Sequence, residues 1–185
     1  QFILEKVPAW IEKYGKNAAF FCTNAAHTEP LLKRIAELGG YFIEADMPSP
    51  LKGYPGALGI DFAKEKGDWP AILKKLEDAV VAAGGGGRMG TWAFSLGYTH
   101  TAALAEFGKR VVEGQAKLDS LKDLIACYND VTPGTTWNAG YYVDAGTGVR
   151  NKKMVLVYQD TYMLGKGFMG TTSVEVPEKY YSVNK

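Results

Sequence analysis

Cys22, His27 and His100, with the carboxylates Glu29, Glu44 and Asp46, are the residues whose types and placement could carry chemistry. A thiol near an imidazole, as at Cys22 and His27, is the raw material of nucleophilic catalysis. No third group stands ready to orient that base, and Cys22 lies in an apolar run. A buried structural thiol is the simpler account. Glu29, Glu44 and Asp46 offer paired carboxylates for acid–base work, although solvated or helix-capping roles explain them with fewer assumptions. Two histidines and two cysteines give no metal-ligand spacing. Gly85-Gly86-Gly87-Arg88-Met89-Gly90 spells the dinucleotide fingerprint. That fingerprint needs a strand before it and a helix after it. Here the order is reversed, so the glycines would lie at the wrong end of a sheet. No cofactor and no enzymatic turnover are expected.

The elements that must position these residues begin with the stretch NAAFFCTNAAHTEPLLKRIAEL, from Asn17 to Leu38. Ala18–Thr23 is a short apolar run, the pattern of a covered strand. Thr28 offers an N-cap hydroxyl, and Pro30 fits the first helical turn. Leu31, Leu32, Ile35 and Leu38 share one helical face. Tyr41–Ala45 is the next strand, so the two should run parallel. In such sheets ligands sit beyond the carboxyl ends of the strands.

A helix over Phe2–Tyr14 precedes this unit. A long Pro- and Gly-rich loop follows it, from Asp46 to Gly67; loops of that length are often functional. A helix capped by Asp68, a third strand over Met89–Phe94, and helices from Thr99 or Thr101 and from Leu118 come next. After Asp130 the chain becomes turn-rich. Tyr141–Asp144 and Met154–Tyr158 read as an antiparallel hairpin, with a weak strand near Thr172–Val176. The expected class is α/β: a mainly parallel sheet flanked by helices, with a C-terminal β-hairpin. Residues 1–130 form one lobe, and residues 131–185 return to the other lobe or the hinge.

The net charge is +1, with Lys and Arg spread along the chain, which argues against a nucleic-acid surface. No apolar run reaches membrane-spanning length. The two cysteines read as buried free thiols. The helical spacing of Ile3, Val7, Trp10 and Ile11 starts almost at the first residue, Gln1, without a cap. A piece of a longer protein is therefore expected.

The order of elements resembles a known family. FFCTNAAHTEPLLKRIAELG resembles the strand–turn–helix of type I periplasmic-binding proteins, and MGTWAFSLGYTHTAALAEFGKRVVEGQ is similar to their later strand and helix. The stretches QFILEKVPAWIEKYGKNAAFFCTN, EPLLKRI and PSPLKGYPGALGI resemble a bacterial family of unassigned function with the same fold, described as substrate-binding lipoproteins. The resemblance implies two lobes that clamp a small molecule and move about a hinge. One departure concerns polarity. Ala25 stands where many sugar-binding members have Asp, and Phe94 where some have Gln. A ligand with an apolar or aromatic part is implied.

The function expected is therefore solute binding, with delivery to an envelope transporter or receptor from an extracytoplasmic position. The alternative is the cytoplasmic ligand-sensing domain of a transcriptional regulator; an α/β enzyme is a third possibility. Strand ends place Asn24, Asp46 and Ser95 on one rim. Ser49 and Tyr54 reach it from the following loop, and Trp92 or Phe94 supplies a flat wall. These seven residues form the expected ligand site.

Overall fold

A computed structural model describes residues 1–171 of the chain. The strand expected near Thr172–Val176 lies outside them. The α/β class holds. Helix α1 (Phe2–Tyr14) buries Val7 and Ile11 and stops at Gly15, whose φ of 83° suits glycine. Strand β1 (Ala19–Cys22), helix α2 (Ala25–Leu38) and strand β2 (Tyr41–Ala45) follow. β1 and β2 are parallel. Leu31, Leu32 and Ile35 of α2 join Val7, Ile11, Cys22 and Phe42 in the first apolar core.

Helix α2 starts four residues earlier than an N-cap at Thr28 would place it. Asn24 is extended (φ −141°, ψ 126°), and its Oδ1 accepts from the Ala26 N–H at 2.9 Å. A side-chain amide in that conformation satisfies a first-turn N–H, so the helix begins there. Thr28 is buried inside the helix, where its hydroxyl donates to Cys22 Sγ at 3.6 Å. Cys22 Sγ itself donates to the Asn24 carbonyl at 3.1 Å, and both Cys22 and Cys127 are unpaired and buried. Asn24→Ala is expected to cost about 0.5–2 kcal/mol, the usual worth of an N-cap. Thermal unfolding of the two proteins checks it.

The segment 46–67 is partly ordered as helix. It carries α3 (Tyr54–Leu58) and a 3₁₀ turn at Ala63–Glu65. Helix α4 (Trp69–Ala82) is capped by Asp68, as the sequence indicates. Strand β3 is only Gly90–Thr91. A parallel bridge between Phe42 and Met89 places it beside β2, with the Phe42 N–H donating to the Arg88 carbonyl at 2.9 Å. The parallel component is thus β1, β2 and this bridge. The remaining pairs are antiparallel: β6 (Tyr162–Met163) on β3, β7 (Gly167–Phe168) on β6, and β4 (Trp137–Val143) on β5 (Arg150–Gln159). A short turn at Leu164–Lys166 folds β7 back on β6, which leaves no length for a parallel crossover.

The glycine run serves packing. Gly165 approaches so closely that a Cβ on it would lie 3.2 Å from the Gly86 Cα. The Gly87 N–H donates to the Leu164 carbonyl at 2.7 Å. The β6–β7 turn therefore lies against backbone that carries no side chains, and Glu77 of α4 holds it by accepting from the Gly165 N–H at 2.7 Å.

A second apolar core is built from helices α5 (Leu96–Val112) and α6 (Leu121–Val131) with the β4–β5 hairpin. Trp92, Ala103, Tyr128 and Trp137 are its buried members. The hairpin is longer than the alternation of Tyr141–Asp144 and Met154–Tyr158 suggests, because Trp137↔Gln159 and Asn138↔Tyr158 extend the ladder. Trp92 is the first residue of this core. The chain between β3 and α5 thus passes from one core to the other, and Thr161, before β6, passes back.

Candidate functional site

The strand ends and the crossing between the two cores come together at Glu44. Phe20 pairs with Phe42, but Cys22 pairs with Ala45, so β2 carries one extra residue at Ile43–Glu44. A bulge of this kind re-aims side chains and is common beside functional sites. Ala45 takes the buried position that strict alternation would give Glu44. The Glu44 carboxylate instead meets Thr161, whose hydroxyl donates to Oε1 at 2.8 Å, and the Trp92 indole N–H, a weaker second donor. Burial raises the Glu44 pKa above the usual carboxylate range, and the two hydrogen bonds only partly offset it.

Beside Thr161 lie two buried polar residues. Asp160 is 2% exposed and Gln159 is 7% exposed. Asp160 Oδ1 accepts from the Thr136 N–H at 3.0 Å, and the Asp160 N–H donates to the Thr136 carbonyl at 3.1 Å. Its Oδ2 has no partner, and neither end of the Gln159 amide has one. Residues directly opposite in an antiparallel pair share a face. Gln159 stands opposite Trp137, so it faces the same way as that ring. The Trp137 ring meets Trp92 at 5.5 Å, edge to face, and Tyr128 at 4.5 Å. The junction thus runs from Glu44 through Trp92 and Trp137 to Gln159, and from Gln159 through Asp160 and Thr161 back to Glu44. It is rich in acceptors and walled by indole. Among the described residues no Lys or Arg pairs with Glu44 or Asp160.

Of the seven residues expected at the site, Trp92 alone touches this junction. Asn24 caps α2, Asp46 Oδ1 accepts from the Met47 N–H at 3.0 Å, and Ser49 Oγ accepts from the Leu51 N–H at 3.1 Å. Tyr54 is buried, and its hydroxyl donates to the Gly90 carbonyl at 2.7 Å. Burial and the neighbouring Glu44 charge push its pKa well up, so it stays neutral. Ser49 and Tyr54 do come together with Thr28 and Thr91, around a void too tight for a water. Ser95 is the N-cap of α5, and the adjoining Leu96 N–H donates to the Pro48 carbonyl at 3.0 Å. That contact keeps the loop after β2 against the loop after β3. Trp92 and Phe94 do not share a face, because β3 ends at Thr91. Trp92 turns to Trp137 and His100, while Phe94 packs on Trp69 and Tyr98.

Gln159, Asp160 and Thr161 were not singled out by the sequence reading. One signal was available: Val155 and Val157 alternate toward the core, and the same parity puts Gln159 on the buried face. An amide at a core position needs an explanation that a solvated strand end does not.

His100 borders the junction from α5. Its Nδ1 lies 2.6 Å from the Tyr128 hydroxyl, and burial holds its pKa below the ordinary 6.5. The unfolded chain therefore takes up a proton that the folded chain refuses. Stability that His100 permits is present above about pH 6.5 and declines as pH falls below it. Glu44 acts with the opposite sign, its contribution being present below its ordinary 4.5 and lost as pH rises through its elevated value. Melting temperatures between neutral and mildly acidic pH should fall in the native sequence and fall less in His100→Asn.

Comparison with known proteins gives the following. Residues 1–90 match the model of a family described as a protein of unknown function (DUF3798), and residues 101–183 match a second family model. An uncharacterized protein of Treponema pallidum (strain Nichols) is 38% identical over 81 residues, which is 44% of this chain and 35% of that relative. Another from the same organism is 29% identical over 84 residues, covering 45% of this chain and 94% of the relative. In three dimensions the chain is similar to a crystal structure described as a "putative transcriptional regulator" from Clostridium difficile 630. The TM-score is 0.71 at 20% identity, over 88% of this chain and 46% of that one. At that identity the likeness speaks for the fold alone. The chain spans about a third of the first Treponema relative and about half of the solved structure.

Proposed function

We propose that this chain is the ligand-reading part of a two-lobed regulator of the periplasmic-binding-like kind, binding a small molecule without turning it over. The observation that carries the proposal is the junction itself. Buried acceptors without partners, at Gln159 and Asp160, stand between two apolar cores where the chain crosses from one to the other. Leaving such groups unpaired costs stability, and proteins keep that cost where a ligand or a conformational change repays it. The likeness to a solved structure described as a putative regulator favours sensing over the delivery of a solute to an envelope transporter, which was the first expectation. A hinge at the crossing would couple occupancy to the relative position of the cores.

The test uses the full-length protein purified from its source. Small molecules released on denaturation are identified by mass spectrometry and titrated back. Sensing predicts that the recovered molecule changes the protein's affinity for DNA from the region upstream of its own gene. Binding of that molecule with no DNA affinity in either state would favour delivery. The absence of any bound or rebinding molecule would overturn both uses.

A further inference from the structure

Resting on the reading of the junction as a ligand site, we infer that its ligand is an organic amine, held by its ammonium group against Asp160, Gln159 and Glu44 with an apolar portion on Trp92. Every side-chain atom left without a partner at Gln159 and Asp160 except one, the Gln159 Nε2, is an acceptor. Asp160 Oδ2 is a buried carboxylate oxygen with no hydrogen bond, and Glu44 is a second, half-buried carboxylate with two neutral donors and no basic partner among the described residues.

Carboxylates taken from water need a charged or multiply donating partner. Two of the arginines are engaged elsewhere. Arg88 donates to the Lys16 carbonyl at 2.9 Å and lies 4.8 Å over the Tyr41 ring, and Arg110 pairs with Glu106 and Asp130. No described Lys or Arg meets either carboxylate, so the positive charge proposed for this site is assigned to a ligand.

An ammonium fits on three counts. It brings three donors and no acceptor. Its hydrogen bonds to carboxylate oxygens are charge-assisted. Indole is the best aromatic face for a cation, and Trp92 already has its N–H turned to Glu44. A carboxylate ligand would meet repulsion at both Asp160 and Glu44. A simple polyol would leave the indole wall unused. Glu44 and Thr161 come from one core, and Gln159 and Trp137 belong to the other side of the crossing. A ligand bridging them would report its presence by fixing the two cores relative to each other.

The test is calorimetric titration of the 185-residue chain with two sets of compounds that share a skeleton. One set is tryptamine, tryptophol and indole-3-acetate; the other is cadaverine, 1,5-pentanediol and glutarate. The amine of at least one set should bind about tenfold or more tighter than its alcohol and its acid. Asp160→Asn should weaken that amine by about tenfold while the melting temperature of the unliganded protein stays level or rises, because Asn keeps the Oδ1 acceptor for the Thr136 N–H and removes an unpaired charge. Glu44→Gln should weaken it as well, and Glu29→Gln should not. An alcohol or acid that binds as tightly as its amine, and loses affinity in Gln159→Ala, would overturn the amine assignment while keeping the site. No binding by any of the six at millimolar concentration would overturn the site and the assignment together.

Discussion

Trp92→Ala should lower the unfolding free energy by about 3–5 kcal/mol, the scale for deleting a buried aromatic side chain. Trp92 is the first residue of the second core and packs against Trp137, His100 and Ala103. Its removal opens a space that α5 and the β4–β5 hairpin cannot both close. It also takes one donor from Glu44. Trp92→Phe separates the two contributions. It keeps most of the apolar volume, so the stability loss should shrink to well under half, but the donor to Glu44 is still lost. Urea unfolding of the three proteins decides it. A loss below about 1 kcal/mol for Trp92→Ala would mean that the second core does not depend on this residue.

Gly90→Ala is the second large effect. A Cβ at Gly90 would lie 2.5 Å from the Ile43 carbonyl oxygen and 2.9 Å from Thr161 Cγ2. The first of these is backbone at the β2 bulge, so it cannot swing aside as a side-chain tip can. Room appears only if β3 moves off β2, and that motion pulls Thr161 from Glu44 and the Gly90 carbonyl from Tyr54. Overpacking costs about 1–3 kcal/mol, and the loss of the Tyr54 contact puts this substitution at the top of that range. Gly97→Ala, in the first turn of α5 with nothing within 4 Å of the added methyl, should be neutral or slightly stabilising. Equal melting temperatures for Gly90→Ala and the native protein would contradict the tight three-strand approach on which the Glu44 site depends.

What the sequence reveals and conceals follows from the range of each interaction. The strand–turn–helix from Ala19 to Leu38 is local, so apolar periodicity and turn residues suffice to find it. The same holds for the reversed glycine motif, where element order alone argues against a phosphate loop; its structural use, as bare backbone under the β6–β7 turn, needs the contact with Gly165 and is not visible in sequence. The length of β3 depends on long-range pairing. An apolar run over Met89–Phe94 looks like a strand, but Trp92 and Phe94 leave the ladder for different aromatic partners.

The candidate site was half legible. Placing it at the carboxyl ends of β2 and β3 led to Trp92, and Glu44 was among the carboxylates considered. The bulge that aims Glu44 adds one residue to a strand of ordinary composition and leaves no mark in the sequence. Thr161 is far along the chain and meets Glu44 only through the antiparallel return of β6, and Asp160 comes with it as its chain neighbour. Asn24, by contrast, sits where expected and spends its side chain on the helix cap.

The central claim is that the junction of Glu44, Trp92, Gln159 and Asp160 receives a small ligand. A crystal structure of the chain grown with the tightest binder of the six compounds tests it most directly. The account predicts ligand density within hydrogen-bond reach of Asp160 Oδ2 and the Gln159 amide, with an apolar portion against Trp92. Density seated elsewhere, such as the open groove of about 600 Å³ lined by Glu77, Val81, Tyr162 and Lys166, with ordered water alone on Asp160 Oδ2, would contradict it.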